Sequence, residues 1–507
     1  MGIALDRLTP EQLDRFLHLQ AIVDRQQDAA AKVRAARAYY DGDHPVMLTE
    51  RQKEYLGPLL SEGDFEFTHN LVKVVVDVVR ERLSVDGFTV NGKDAGDETD
   101  SDPDAVVASL LWQWWADWRM NSQQIRLYRR ALRDGKSYVM VDYDQENQRP
   151  RASLHEVDDY TTGITFHRDP SDANQVLFAS RYFYTFDPLR PGATGSERKT
   201  VYLPNEIRKY IRDSNAVGTW RPVLDDGDAT WPLPWVDRMG KPLGIAVIEF
   251  QDPDLGLVGG IIGLQNALNK SWLDLLAAAD TAGFPVLAIE YKDKANNPIG
   301  AEDDDDILGT DEFRMAPGRA LEVFGATVKR IEGANLTEMI QSVWSIVSAM
   351  AVVSRLPQHD LKPQQGVDVP SGEALKQLES GLVKKVQERQ LAFGQNWADV
   401  MLLALRVQAA FGDQPPVLKR TNINVQWTDP NTRQEKAQAE IAQIHKNLGV
   451  PNDAVWRQAG YSPEQVARFK QDARLDRAAD VANIAGALRS QAVAGQSQTN
   501  PARAGAA

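Results

Sequence analysis

The sequence contains no cysteine, which excludes disulfide frameworks, thiolate nucleophiles and cysteine-ligated zinc sites. Histidine is scarce, and none of the seven histidines stands in the HxH or HExxH spacing of a zinc or metalloprotease site. The GxSxG and GxGxxG motifs, which mark many hydrolases and dinucleotide-binding enzymes, are also absent. The sequence therefore gives no support to these common classes of enzyme.

Positive charge is in deficit, because 57 Lys and Arg residues stand against 71 Asp and Glu residues and the net charge is -14. Neutralisation of phosphates drives non-specific DNA binding, so such an acidic chain is a poor candidate for tight DNA binding. The segment Leu448–Pro451 could be the turn of a helix-turn-helix motif. The helices expected beside it are not strongly basic, so structural packing of a helix hairpin is favoured.

Long apolar runs are missing as well. No run approaches the length of a membrane span, and the start, MGIALDRLTPEQ, lacks the apolar core of a signal peptide. Hydrophobic residues make up 43% of the chain and charged residues 25%, which is the balance of a globular protein. We therefore expect a soluble protein made inside the cell, with no membrane as a partner.

Two short motifs could indicate a nucleotide-binding site or a metal site. The tripeptide Gly135-Lys136-Ser137 resembles the end of a P-loop, but Arg130 stands where that motif needs glycine, and the predicted order is helix then strand. An acidic run, Glu302-Asp303-Asp304-Asp305-Asp306, could bind a metal. Adjacent carboxylates point in different directions, so a solvated acidic loop is favoured. A metal-dependent nuclease or hydrolase that uses Asp303–Asp306 remains the alternative.

The first half of the chain predicts helices followed by strands. A capping box at Thr9–Gln12 begins a helix that we expect to run to Tyr40, and further helices are expected over Asn70–Leu83 and Val106–Trp118. The last of these crowds four tryptophans together, which is typical of a core or a subunit interface. An exposed loop is expected over Asn91–Asp104. Strands are expected at Ser137–Tyr143, Val176–Phe186, Lys199–Leu203 and Leu243–Phe250.

The second half predicts three long helices. The first carries an apolar stripe from Leu257 to Ala279, and the second begins at Asn335 with Glu338 in a capping box. A compact insert with strand-like ends separates them. Prolines make Leu356–Pro370 a loop, and Ser371 opens a third helix that continues to Phe411, about 60 Å long. Its predicted stripe is Leu375, Leu378, Leu382, Val386, Phe393, Trp397, Val400, Ala404 and Val407. A short strand is expected over Pro416–Trp427.

This order of elements, together with the strings YYDGDHP (Tyr39–Pro45) and NLVKVVVD (Asn70–Asp77), resembles the portal proteins of long-tailed double-stranded DNA bacteriophages. The resemblance extends from about Ala35 to Leu475. It implies an α+β, mostly helical subunit with a wing, a helical stem, a small α/β clip, a long central helix and a helical crown.

The resemblance divides the chain by position. The implied parts are an N-terminal helix (1–34), the wing (35–254), stem helix 1 (255–282), the clip (283–334), stem helix 2 (335–355), the tunnel loop (356–370), the long helix with its return strand (371–428), the crown (429–485) and a disordered tail (486–507).

The implied function is structural, with no enzyme activity and no cofactor. The family forms a ring of twelve subunits at one capsid vertex of the virion, assembled in the host cytoplasm. Double-stranded DNA passes through the ring, and the implied partners are the terminase packaging ATPase, a head–tail adaptor, the major capsid protein and the scaffold protein. Besides the nuclease, the alternative is another head protein, such as a scaffold or minor capsid component.

The resemblance also assigns residues. The tunnel-loop residues that would meet DNA are His359, Lys362, Gln364 and Gln365. The clip surface that would dock partners is Glu302, Asp303, Asp304, Asp305 and Asp306. The stem-packing residues are Leu264, Leu268, Trp272, Leu275, Ile340, Trp344 and Val347.

Overall fold

The structure is a computed structural model. It describes residues 5, 8–24, 27–44, 50, 68–94, 102–159, 162–169, 171–185, 195–213, 220–225, 230–283, 287–291, 326–330, 335–362, 372–412, 421–431, 442–450, 452, 455, 456, 465, 466, 468, 469 and 472. The predicted disordered tail therefore lies outside the described residues, as does most of the predicted clip and crown.

The first helices whose bounds the structure describes are α1 (Pro10–Asp24), α2 (Gln27–Asp41) and α3 (Val72–Glu81). The predicted capping box is confirmed, because the Thr9 amide donates to Gln12 Oε1 at 3.0 Å and the Gln12 amide to Thr9 Oγ1 at 3.3 Å. The single helix predicted from Thr9 to Tyr40 is described instead as two, α1 and α2, with residues 25 and 26 outside the described part.

The tryptophan-rich segment forms α4 (Pro103–Asp117), which is followed directly by α5 (Met120–Asp134). Asp102 caps α4, since its side chain accepts the Asp104 amide at 3.1 Å. Trp114, Trp115 and Trp118 are buried, and Trp112 packs beside them. Of the two expected settings, core or subunit interface, the structure shows the core of the chain itself.

The described strands form three sheets and one hairpin. The first sheet contains β1 (Val85–Val90), β2 (Lys93–Asp94) and β14 (Ile423–Trp427) in the order β14-β1-β2. The expectation of a loop throughout Asn91–Asp104 is therefore wrong at β2 and at Pro103 and Asp104, which belong to α4. β14 confirms the predicted return strand, and its antiparallel pairing with β1 joins two distant parts of the chain.

The second sheet contains β3 (Lys136–Asp144), β4 (Arg149–Glu156) and β11 (Val247–Gln251) in the order β11-β3-β4. A third, six-stranded sheet lies between them in sequence. Its strands are β5 (Gly163–Asp169), β6 (Asp172–Thr185), β7 (Ser196–Tyr202), β8 (Glu206–Asp213), β9 (Arg221–Pro222) and β10 (Leu233–Pro234). Helix α1 packs on this sheet in a separate hydrophobic cluster around Leu17 and Phe178. The predicted strand-rich block is confirmed.

The second half of the chain follows the predicted order of helix, insert and helix. A 3₁₀ turn (Gly259–Ile261) leads into α6 (Ile262–Gly283), the hairpin of β12 (Leu287–Tyr291) and β13 (Ala326–Arg330) follows, and α7 runs over Leu336–Ser354. Asn335 caps α7 by accepting the Thr337 amide at 3.1 Å, and its amide group donates to Glu338 at 3.0 Å. The first helix was expected to begin before Gly259, and that expectation is wrong.

The loop predicted at Leu356–Pro370 contains a one-turn helix, α8 (Gln358–Leu361), so the prediction of a loop throughout is wrong. The third long helix is confirmed as α9 (Gly372–Phe411), 40 residues long. Its predicted stripe is buried from Leu382 to Val407, whereas Leu378 is 56% exposed and does not belong to it. Helix α9 is the centre of the main core, where Trp397 donates its indole N–H to the Tyr128 hydroxyl at 2.8 Å.

Candidate functional site

Helices α6 and α7 pack against each other and form the two arms of a helical hairpin, with β12 and β13 at its far end. The residues predicted to pack the stem all lie on these arms. Leu268, Leu275 and Val347 are buried, whereas Leu264, Trp272 and Trp344 are half-buried and Ile340 is 41% exposed.

Helix α7 is apolar by composition, and two apolar side chains near its C-terminal end are exposed. An 18-residue window of this helix has a mean hydropathy of 1.4, yet only 22% of the window is buried. One face, including Val343, Val347 and Met350, is buried, whereas Val352 and Val353 are 71% and 56% exposed. Apart from Ile340, the other exposed side chains of α7 are polar, so its exposed apolar surface is concentrated at Val352 and Val353.

The expectation that no apolar run approaches the length of a membrane span is wrong for α7. By length and composition alone, this helix could cross a membrane, and it is the single such helix among the described residues. One such helix is weak evidence for a membrane, because helices that pack against other helices have the same composition.

The chain enters the hairpin through a rigid turn after β11. The Asp252 carboxylate accepts the Gly256 amide at 3.0 Å, and the Leu257 amide donates to the Leu132 carbonyl at 2.7 Å. Gly135 lies so close that a Cβ there would be 2.7 Å from the Leu255 carbonyl oxygen. Leu255 has a φ of +57°, in the left-handed region that leucine rarely adopts. The turn is therefore fixed by its neighbours.

Arg389 of α9 holds this turn from the opposite side. Its Nη2 lies 2.8 Å from Asp254 Oδ2, and its Nε lies 2.8 Å from Asp252 Oδ1, without the alignment of a hydrogen bond. The side chains of Arg389 and Asp252 are both fully buried. Burial raises the pKa of Asp252, and the hydrogen bond from Arg389 lowers the pKa of Asp254. The ion pairs keep three charges together at the entry of the hairpin.

The end of the hairpin is contacted by a second residue of α9, which lies one helical turn before Arg389. Lys385 is buried, and its Nζ donates to the Ser354 carbonyl oxygen at 2.9 Å, at the last residue of α7. Burial, with a smaller contribution from Arg389, lowers the pKa of Lys385 to about 8. Lys385 and Arg389 thus contact the exit and the entry of the hairpin, respectively.

The segment after α7 contains the residues predicted to meet DNA. The His359 Nε2 atom lies 3.6 Å from an Asp360 carboxylate oxygen and 3.8 Å from one of Glu379, and the Lys362 ammonium lies 5.2 Å from the centre of the Trp344 ring. These two side chains therefore contact groups of their own chain. Gln364 and Gln365 lie outside the described residues.

The acidic run Glu302–Asp306 also lies outside the described residues. Within the described part of the chain, no group of three or more His, Asp or Glu side chains is placed to hold a metal ion. The structure thus supplies no described metal site that a nuclease could use.

The cations that hold the hairpin were not identified from the sequence. One signal was available, because Arg389 interrupts the apolar stripe of α9 between Val386 and Phe393, where a buried side chain is expected. A buried arginine on an apolar face needs a carboxylate partner. The sequence does not show which of its 71 acidic residues is that partner.

Comparison with protein families gives one match over most of the chain. Residues 19–474 match the family described as phage portal protein, SPP1 Gp6-like. The portal protein of Mycobacterium phage D29 is 24% identical over 491 residues, covering 91% of this chain and 90% of the relative. The portal protein of Mycobacterium phage L5 is 23% identical over 465 residues, covering 88% and 86%.

Solved structures give weaker similarities. A chain in the neck of an empty GTA particle has a TM-score of 0.38 and 13% identity, covering 83% of this chain and 96% of that one. An HK97 family phage portal protein from Corynebacterium diphtheriae has a TM-score of 0.29 and 10% identity, covering 76% and 96%. At these TM-scores neither similarity supports a conclusion about this chain.

Proposed function

The chain belongs to the SPP1 Gp6-like family of phage portal proteins, and from this membership we propose that its copies close into a ring at one vertex of the capsid. Such a ring is the channel through which the genome is packaged and ejected. Twelve copies are the number that the resemblance in the sequence implies.

The observation that carries this proposal is the exposed apolar surface of α7. Adjacent exposed apolar side chains, such as Val352 and Val353 at 71% and 56% exposure, are typical of a surface that a partner covers. In a ring, the same face of every copy meets its neighbour, so one repeated contact covers the exposed side chains of all the hairpins. We assign Val352 and Val353, which lie on the side of α7 away from the buried Val347, to this contact between copies.

The hairpin α6–α7 is the proposed stem, and the segment from Leu356 to Pro370 the proposed tunnel loop. DNA moves through the ring under force from a separate ATPase, the terminase. An acidic chain with a net charge of -14 repels phosphates, which limits adhesion of the moving duplex. His359, Lys362, Gln364 and Gln365 are the groups proposed to contact the DNA backbone.

The remaining parts follow the proposed division of the chain. Residues 35–254 form the wing, the segment around β12 and β13 the clip, α9 with β14 the long helix and return strand, and residues 429–485 the crown. The clip, with Glu302–Asp306, docks the terminase and later the head–tail adaptor. Outer surfaces meet the major capsid and scaffold proteins. The protein assembles in the host cytoplasm, acts in the virion and is structural rather than enzymatic.

Negative-stain electron microscopy of the purified full-length protein tests the assembly. We expect rings with a central hole wide enough for a DNA duplex. Val353→Glu should prevent ring formation without unfolding the chain, because Val353 is 56% exposed. Met239→Glu is the matched control, since Met239 is 80% exposed on a turn that belongs to neither arm of the hairpin. Rings that survive Val353→Glu would overturn the assignment of this face.

A further inference from the structure

The start and the end of the α6–α7 hairpin both contact the same stretch of α9. Arg389 holds the entry through Asp252 and Asp254, and Lys385 holds the exit through the Ser354 carbonyl oxygen. Lys385 and Arg389 are four residues apart, so their side chains leave the same face of α9 one turn apart.

The two attachments are in direct contact. Arg389 Nη1 donates to the Lys385 carbonyl oxygen at 3.0 Å, so a shift of the Arg389 side chain acts on the backbone that carries Lys385. The Lys385 ammonium also interacts electrostatically with Arg389, Asp254 and Asp252, in that order. Electrostatic interactions are stronger in the protein interior than in water. Removal of one of these charges therefore changes the electrostatic free energy of the remaining charged side chains.

The entry turn cannot relax to absorb a displacement. The Gly135 and Gly256 backbones are in contact, and a Cβ at Gly256 would lie 3.1 Å from the Gly135 nitrogen. The Asp252 amide donates to the Gly135 carbonyl at 2.9 Å, immediately after β11. An Asp252 carboxylate left without Arg389 would be a buried unpaired charge. Movement of the entry turn therefore requires movement of Arg389.

We propose that Lys385 and Arg389 form a latch that couples the two ends of the hairpin, so that loosening either end loosens the other. The latch consists of these two side chains with Asp252, Asp254 and the Ser354 carbonyl. It joins α6 and α7 to α9 and, through Asp252, to the end of β11. This coupling is a property of a single chain. The further inference that it transmits movement from the stem to the wing rests on the proposed function.

Hydrogen–deuterium exchange of the full-length protein at constant pH tests the coupling. The entry is reported by the amides of Leu255 and Leu257, and the exit by those of Arg355 and Leu356, all of which donate hydrogen bonds. Lys385→Met removes the contact at the exit, and Asp254→Asn weakens the contact at the entry. Lys384→Met is the matched control, because Lys384 is the adjacent exposed lysine on α9.

The latch predicts that each variant speeds exchange at both ends, by about tenfold at the end that was not altered. Lys384→Met should exchange as the wild type does. Faster exchange confined to the altered end in both variants, or unchanged exchange at both ends, would overturn the proposal. If Lys385→Met fails to fold, Asp254→Asn decides alone, since the Asp254 side chain is 55% exposed. Exchange is compared only between proteins in the same oligomeric state, checked by native mass spectrometry, because Arg355 and Leu356 adjoin the proposed contact between copies.

Discussion

Arg389 and Asp252 form an ion pair in which both side chains have no exposure to solvent. The arginine lies on the long helix and the aspartate at the start of the hairpin, 137 positions earlier in the chain. A buried pair of charges adds little net stability, because desolvation offsets the attraction between them. The pair instead fixes where the hairpin meets α9, because either charge is costly to bury without the other.

Arg389→Met should lower the free energy of unfolding by about 3–5 kcal/mol, because it leaves Asp252 buried without a partner. The double variant Arg389→Met/Asp252→Asn should recover part of this loss, since no unpaired charge remains. Urea denaturation of the three proteins measures the difference. A loss below about 1 kcal/mol for Arg389→Met would mean that water reaches Asp252.

Lys385 makes the free energy of unfolding depend on pH in the alkaline range. The charged groups that face its ammonium are Arg389, Asp254, Asp252 and Arg355, and burial brings its pKa from 10.5 to about 8. Between these values the unfolded chain holds a proton that the folded chain has released, so folding stability rises with pH.

The stability of the wild type relative to Lys385→Met should therefore increase by about 2 kcal/mol from about pH 7 to about pH 10. Denaturant titrations of both proteins at each pH give this difference and cancel the other titrating groups. A difference that stays constant or decreases would show that the buried lysine keeps its ordinary pKa.

His18 makes the docking of α1 sensitive to acid. Burial, together with Lys199, lowers its pKa from 6.5 to about 4, while Asp14 acts in the opposite direction and Arg208 in the same. The Lys199 ammonium also lies 5.3 Å from the centre of the Tyr210 ring. As the pH falls from 6.5 towards 4, an undocked imidazole binds a proton that the docked one excludes, so docking weakens.

Hydrogen exchange in α1, corrected for intrinsic rates, should accelerate over this range of pH. His18→Gln should remove the acceleration, whereas His445→Gln, a histidine outside this cluster, should retain it. Persistence of the acceleration in His18→Gln would assign it to a different group.

Arg238 caps the end of α9 from another part of the chain. Its Nε donates to the Ala410 carbonyl at 3.3 Å, and its Nη2 donates to the Gly412 carbonyl. A cation at the C-terminus of a helix satisfies free carbonyl groups and interacts favourably with the helix dipole. Arg238→Gln should cost about 1 kcal/mol of stability in urea denaturation. Lys241→Gln on the same turn is the control, and equal losses in both would argue against the cap.

Local signals explain what could be predicted from the sequence. The capping pairs Thr9–Gln12 and Asn335–Glu338 and the apolar stripe of α9 depend on residues a few positions apart, and all three were predictable. The late start of α6 was not, because Leu255 adopts a positive φ that only its contacts with distant residues maintain.

Contacts between residues far apart in the sequence could not be predicted either. Val90 of β1 pairs with Ile423 of β14, and no local pattern in either strand names the other. The same holds for Arg389 and its carboxylates. The stem was therefore predicted as two helices, whereas the latch that joins them to α9 required the structure.

Native mass spectrometry of the purified full-length chain tests the central claim, that this protein forms a portal ring, most directly. The account predicts one closed species with a fixed number of copies, twelve, and its loss in Val353→Glu but not in Met239→Glu. A stable monomer under assembly conditions, or an open-ended series of oligomers, would contradict it.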